Sequence, residues 1–248
     1  MMATSAAAQD LVDAGWGVVT AVTDGDTLVL EQGLVVRLVG IQAPKLPLGR
    51  AGFEQQPLAP EAKAALAAMT LGKRVRLSFG GLQTDRYGRA LAHLHVEGVD
   101  GELWVQGEMV RLGLARVYSF KDNRTMVGEL LEVEAEARTA NRGIWALAYF
   151  AIRQVEDTGD YLDRFEVVEG RVLAAEQVGG RIYLNFGADW RTDFTVSVAP
   201  GDTGLFEKAG IDLLSLAGQR IRVRGWLRNF NGPVIDLTHP EQLESLGL

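Results

Sequence analysis

Apolar and polar positions alternate in short runs over the first hundred residues, with turn-forming residues between the runs. Gly17 to Thr23 and Thr27 to Glu31 read as two strands. Asp24-Gly25-Asp26 between them suits a hairpin turn. Leu34 to Ile41 is a third apolar run, and Pro44 to Leu58, rich in Pro, Gly and polar residues, reads as a loop. Pro60 to Leu71 predicts a helix, with Pro60 at the first helical position, Glu61 near the positive end and Gly72 as the stop. Val75 to Phe79 and Ala90 to Val96 read as strands on either side of the turn Thr84–Arg89. Two further helices are predicted over Leu103–Leu112, ending at Gly113, and Thr125–Asn141, ending at Gly143. The second places Leu130, Val133 and Ala137 on one side and Glu129, Glu132 and Glu136 elsewhere. Residues 1–14 are then an N-terminal extension, and residues 15–148 a unit of five strands and three helices.

A polar stretch, Gln154 to Asp163, marks a linker over 149–163. Beyond it, in 164–248, strands are predicted near Phe165–Ala174, Arg181–Phe186 and Asp193–Val198, then a short helix over Asp202–Ala209, then strands near Arg220–Arg228 and Val234–Thr238. The order β-β-β-α-β-β in about 75 residues is that of an OB-fold, a small Greek-key barrel. The expected class is therefore mainly β, two barrel-like units with helices, although order of elements alone does not dictate function. Arg220, Arg222, Arg224, Trp226 and Arg228 alternate with Ile221, Val223, Gly225 and Leu227, which puts the Arg residues and the Trp on one face of a strand. Arg beside an aromatic on such a face is a candidate platform for single-stranded nucleic acid, which Tyr183, Phe186, Trp190 and Phe230 could extend. The competing reading is an ordinary charged outer face with aromatics in the core.

Composition narrows the classes. Hydrophobic residues are 47% and charged residues 23%, as in a globular protein. No run approaches the roughly 18–20 uncharged apolar residues of a membrane-spanning helix. Cysteine is absent, which removes disulfides, thiolate metal sites and cysteine nucleophiles, and only His93, His95 and His239 remain as imidazoles. We take all three as structural. The net charge is 25 − 32 = −7, so the chain as a whole is a poor trap for polyanions, and nucleic-acid binding has to come from a local basic patch. Residues 15–148 carry 15 Lys+Arg against 15 Asp+Glu, and residues 149–248 carry 10 against 15. Twenty of the cations are Arg, which can grip a phosphate with two parallel hydrogen bonds. Ser5-Ala6-Ala7-Ala8 looks like the tail of a cleaved secretion signal, although no basic start and apolar run precede it. The balance slightly favours an exported protein over a cytoplasmic one.

Three short segments could carry chemistry. Asp24-Gly25-Asp26-Thr27 is either a plain turn or a turn that places Asp26 in a cation site. Arg37, inside the apolar run Val35-Val36-Arg37-Leu38-Val39, has to satisfy its guanidinium through a salt bridge or at an outward edge. Thr84-Asp85-Arg86-Tyr87-Gly88-Arg89 is a polar hairpin turn. With Ala43-Pro44, Gly113-Leu114-Ala115 and Asn141 to Trp145, their order and spacing resemble the staphylococcal nuclease family from about Trp16 to Ala146. The resemblance implies an OB-type barrel with three helices and calcium-dependent hydrolysis of DNA and RNA phosphodiesters. It also implies roles. Arg37 and Arg89 would hold the phosphate as it gains charge, Arg86 and Tyr87 would line the nucleotide site, Tyr118 or Phe120 would lie beside the base, and Asp26 would bind the cation.

The resemblance breaks down at two positions. Gln42 stands where the family has a second cation-binding Asp. Ala43 aligns with a ligand that is a backbone carbonyl, which any residue can supply. Lys45 stands where a Glu assists the attacking water. Asp→Gln adds +1 and Glu→Lys adds +2, a change of +3 at the site. Calcium affinity follows the number of charged oxygen ligands, so weak or absent calcium binding is expected, and a protonated Lys45 is no base. Two compensations are conceivable: Lys45 standing in for the metal's charge, or Glu54 swinging in as base. The expectation is a nucleic-acid-binding protein, with single-stranded DNA or RNA as partner and reduced, altered or lost phosphodiester hydrolysis, in which Arg37, Arg89 and Lys45 hold the phosphate and Asp26 orients them or weakly binds a cation. The alternatives are a working metal-dependent nuclease and a protein-interaction scaffold that keeps the barrel.

Overall fold

The computed structural model describes residues 11–98, 101–189 and 191–247. Met1 to Gln9, where the export reading rests, and Trp190 of the aromatic cluster lie outside the described residues. The chain divides into two units, with the boundary between Tyr149 and Phe150.

In the first unit β1 (Val12–Asp24) is longer than its apolar pattern predicts, because its two halves serve different partners. Its second half pairs antiparallel with β2 (Thr27–Leu30), which pairs in turn with β3 (Val35–Leu38). After the two-residue strand β4 (Ile41–Gln42), the loop and helix α1 (Ala59–Thr70), the chain returns as β5 (Arg74–Phe79) against the first half of β1. Strand β6 (Ala90–Gly98) lies beside β5 and also pairs in parallel with β3, Val36 opposite Ala90 and Arg37 opposite Leu91. That last pairing closes the five expected strands into a barrel. Leu103 and Trp104, expected to open a helix, instead end a sixth strand of this sheet, β7 (Gly101–Trp104), on β6. The helix α2 therefore runs only over Val105–Arg111. Strand β8 (Arg116–Val117) forms a ribbon with β4, and α3 (Val127–Thr139) completes the unit. Leu28, Leu38, Leu66, Leu94, Met109 and Leu130 are fully buried, so barrel and helices share one apolar core.

The two glycine motifs have a mechanical explanation. Gly113 (φ +66°) follows the end of α2, and Gly143 (φ +53°), expected to stop α3, instead opens a 3-10 turn after α3 has ended at Thr139; the two backbones cross there. Ile144 N–H donates to Gly113 C=O at 2.8 Å. A Cβ on Gly113 would lie 2.1 Å from the Arg142 carbonyl oxygen.

In the second unit the expected linker is largely structured. Strand β9 (Arg153–Gln154) pairs in parallel with β10 (Arg164–Arg171), and Val155–Tyr161 forms 3-10 helix between them. The polar composition hid this because the anchoring groups are themselves polar. The buried Arg153 guanidinium pairs with the buried Glu166 carboxylate at 3.1 Å and lies 3.7 Å above the Tyr161 ring. Then follow β11 (Ala174–Val178), β12 (Arg181–Asn185), β13 (Thr195–Val198), helix α4 (Thr203–Lys208), β14 (Arg220–Asn229), β15 (Pro233–Leu237) and a short unpredicted strand β16 (Leu243–Ser245) on β14. The sheet order is β11-β12-β13-β15-β14-β10-β9, with β13 and β15 parallel. Only Val172 and Leu173 separate β10 from β11, so the sheet curls towards closure around Leu184, Val196, Phe206, Ile221, Val223 and Ile235. Among the described residues no helix is long and apolar enough to cross a membrane.

Candidate functional site

The turn between β1 and β2 brings two carboxylates together. Asp24 Oδ1 accepts the Asp26 N–H at 3.1 Å, which bends the chain so that Asp26 points inward. Gly25 between them has no room for a side chain, since a Cβ would lie 2.6 Å from Ala43 Cβ and 2.7 Å from Ala62 Cβ. The turn is thereby pressed against the following loop and α1. Asp26 is fully buried and saturated with donors. Ala43 N–H reaches its Oδ2 at 2.8 Å, the Thr27 hydroxyl its Oδ1 at 3.2 Å, and Arg37 Nη2 lies 3.3 Å from Oδ2. Lys45 Nζ straddles both oxygens, 2.7 Å from Oδ1 and 2.6 Å from Oδ2, and lies 3.5 Å from Asp24 Oδ2. Lys45 is held from behind by Gln56, whose Oε1 accepts the Lys45 N–H at 2.8 Å and whose own N–H donates to the Lys45 carbonyl at 3.0 Å.

Electrostatics follow from this packing. Burial alone would raise the Asp26 carboxyl, but the guanidinium of Arg37 and the ammonium of Lys45 outweigh it and hold the group well below the usual carboxylate range. Asp24 moves the other way: burial and the negative charge of Asp26 raise it, and Lys45 offsets only part. Arg37 resolves as a salt bridge, and it also donates to the carbonyls of Leu38 and Ile41, the latter at 2.6 Å. Most of its donors are thus spent within the protein. Gln42 Oε1 accepts from Arg116 Nε at 3.2 Å and Nη2 at 2.9 Å across the β4–β8 ribbon. Glu54 is exposed in the loop.

The turn before β6 forms a second cluster. Asp85 Oδ1 accepts the backbone N–H groups of Tyr87 and Arg89, while its Oδ2 takes Arg89 Nε and Nη2, each at 2.7 Å. Arg86 and Arg89 place their guanidinium carbons 4.8 and 5.4 Å from the centre of the Tyr87 ring, which is 68% exposed. Tyr118 is half-buried and meets Phe120 edge to face at 4.9 Å, and its N–H donates to Gly40 C=O at 2.9 Å. Asp26, Ala43, Lys45 and Arg37 therefore converge, and the β3–β6 pairing puts Arg89 at the start of the strand next to Arg37. Sequence reasoning missed Asp24, Gln56 and Arg116. Asp24 lay in the quoted motif but passed as a turn residue. Gln56 and Arg116 act through contacts 11 and 74 residues away in the chain, for which no local pattern exists. Among the described residues no three His, Cys, Asp or Glu side chains are grouped to hold a metal ion.

The Arg stripe of β14 does share one face, but carboxylates from neighbouring strands meet it. Arg220 pairs with Glu169 at 2.6 Å, Arg222 with Glu169 and Glu244, each at 2.9 Å, the buried Arg224 with Glu244, and Arg228 with Asp236. The stripe is thus an ion-pair ladder across β10, β14, β15 and β16, not a row of free cations, which agrees with the competing reading of a charged outer face. Trp226 is 49% exposed on the same strand. Phe186 packs against Phe194 and the core, while Tyr183 and Phe230 line a groove of about 650 Å³ on the outer face of the barrel.

Residues 35–147 match the family model described as staphylococcal nuclease homologue. This segment is a staphylococcal nuclease homologue domain. The nuclease-like domain also has relatives by overall similarity. A Bacillus anthracis protein described as uncharacterized is 32% identical over 139 residues, covering 54% of this chain and 62% of that one. A probable endonuclease LCL3 of Verticillium alfalfae is 32% identical over 138 residues, 54% of this chain and 46% of the relative. The probable endonuclease LCL3 of Coccidioides posadasii is 31% identical over 169 residues, 63% of this chain and 51% of the relative. The chain spans about half to three-fifths of the length of these relatives.

Proposed function

We propose that the nuclease-like domain binds the backbone of single-stranded DNA or RNA and has lost most or all calcium-dependent phosphodiester hydrolysis. One observation carries this reading: the Lys45 ammonium lies against both oxygens of Asp26. Calcium takes six to eight oxygen ligands and favours carboxylates. At this site the only fully buried carboxylate already accepts from Lys45, Arg37 and Ala43, and the neighbouring Gln42 oxygen accepts from Arg116. The donor set does not fit calcium. Nor does the site hold a base for water, since the position that would supply one carries an ammonium paired to two carboxylates.

Within the pocket the charges cancel, Asp24 and Asp26 against Arg37 and Lys45. Phosphate holding therefore falls chiefly to Arg89 and Arg86 at the rim, with Tyr87 as a face for a base. Arg37 and Lys45 act as the structural floor of the site, a smaller part than the sequence suggested. The names of the two probable endonucleases keep hydrolysis as the reading to be tested against.

The deciding measurement is anisotropy of a labelled single strand mixed with the protein, followed by calcium addition and a gel. Binding without cutting is expected, with binding weakened in Arg89→Ala. Calcium-triggered cutting that disappears in Arg89→Ala would make the protein a working nuclease and overturn the proposal. A second test rebuilds the family pattern. Lys45→Glu combined with Gln42→Asp is expected to create calcium affinity measurable by titration calorimetry where the unaltered protein shows none. If the double change creates none, the two substitutions are not what excludes the metal.

A further inference from the structure

We propose that the groove on the outer face of the second barrel is a stacking site for the unpaired bases of a single nucleic-acid strand, separate from the Arg ladder of β14. This rests on the reading of the first unit as nucleic-acid-binding. The groove is built by register. Tyr183, Ser197 and Asp236 lie in one row across β12, β13 and β15, and Asn185, Thr195, Val234 and Arg228 lie in the next row, which reaches β14. Its floor is made of the short side chains of Thr195 and Ser197, and its walls are taller: Tyr183 on one side, Arg228 and Phe230 on the other. Three strand steps separate the walls, about 14 Å, which leaves room for two or three bases.

Among the described residues of the unit, Phe230 is the most exposed large apolar side chain. It is 70% exposed at the tip of the β14–β15 hairpin, where Asn231 (φ +53°) and Gly232 (φ +87°) turn the chain. An exposed Phe facing a half-buried Tyr across the groove is a π-surface without a ring partner among the described residues, and every base has a π-face to offer. Charge tells how the ligand is held. Asp236 accepts from the Ser197 hydroxyl and pairs with Arg181 at 3.7 Å and with Arg228, and with Glu176 also in the lining the two carboxylates balance the two Arg, so the groove is close to neutral. Asn185 Oδ1 accepts from the Thr195 hydroxyl at 3.4 Å, which leaves its amide N–H groups for a base edge. A neutral trough with aromatic walls selects bases over phosphates, the opposite of the Arg89 rim in the first unit.

The test uses the full chain with a labelled thymidine strand of about 15 residues and an abasic strand with the same phosphates. Tyr183→Ala with Phe230→Ala is expected to weaken binding of the thymidine strand about tenfold or more and leave the abasic strand unchanged. Phe230→Trp in the otherwise unaltered chain is expected to keep the affinity, and unchanged abasic binding shows that the variants are folded. Arg89→Ala should weaken both strands. The proposal is overturned if the double variant binds thymidine normally, or loses both strands equally while its thermal unfolding is intact. If Arg89→Ala has no effect but the double variant loses only thymidine binding, the groove stands and the reading of the first unit falls.

Discussion

At Asp26 a fully buried carboxylate is kept ionised by two cations, and this couples the site to stability. Removing one partner of a buried ion pair leaves the other uncompensated. Asp26→Asn strands both Arg37 and Lys45, and about 3 kcal/mol of stability should be lost in urea unfolding. Lys45→Met leaves Asp26 with Arg37 and its hydrogen bonds, and should cost less. Equal stability of Asp26→Asn and the unaltered protein would show that the cluster does not secure the turn. At this scale much of the site was legible. An Arg in an apolar strand, two Asp around a Gly and a Lys after Ala-Pro are visible in order, and the structure joins them. The bidentate contact of Lys45 was not legible, because it depends on where Gln56 pins the loop.

Elements carry the next two predictions. The crossing at Gly113 and Gly143 has backbone on both sides and no flexible side chain to give way. Gly113→Ala combines a clash with a left-handed φ, and a loss of about 3 kcal/mol or more is expected in chemical denaturation. In β6 the His93 ring is buried and accepts a hydrogen bond from Trp104 Nε1 at 3.3 Å, which requires a neutral nitrogen. Burial, with the neighbouring His95, holds it at about 4 against the ordinary 6.5. Between those values the unfolded chain binds a proton that the native protein refuses, so stability falls as pH drops through that window and levels below it. About 3 kcal/mol is at stake. Thermal unfolding from pH 7 to pH 4 should show this slope, and His93→Gln should flatten it. Helix α1 was readable almost to the residue from Pro60 and Gly72, as was most of α3. Strand β7 was not, because Leu103 and Trp104 fit either a helix start or a hairpin, and only the β6 pairing decides.

For the whole molecule the governing number is charge. The chain is net −7, its pocket is internally neutral and the β14 ladder is paired, so these two clusters contribute few cations to displace counterions. Each phosphate of a single strand that is neutralised contributes a slope of about −0.7 to log K against log salt. Two or three contacts predict a slope no steeper than about −2, read from anisotropy titrations in increasing salt. A slope near −5 would mean that a basic surface other than Arg86 and Arg89 dominates. The order of the longer elements was visible in both units, including the order typical of an OB barrel in the second, while the short strands β8, β9, β11 and β16, like β7, were not. The parallel pairings that close the sheets, β3 with β6 and β13 with β15, leave no trace in local pattern, since they join strands far apart in sequence. Lys45 carries a consequence of its own. A dissolved ion fills a site only as far as its supply allows, and chelators or a calcium-poor compartment empty it. An ammonium on the chain has no dissociation step, so Asp26 stays charge-compensated at every calcium concentration. What could unload this site is covalent: acetylation of one amine would leave Arg37, which reaches only Asp26, as the remaining cation beside two buried carboxylates.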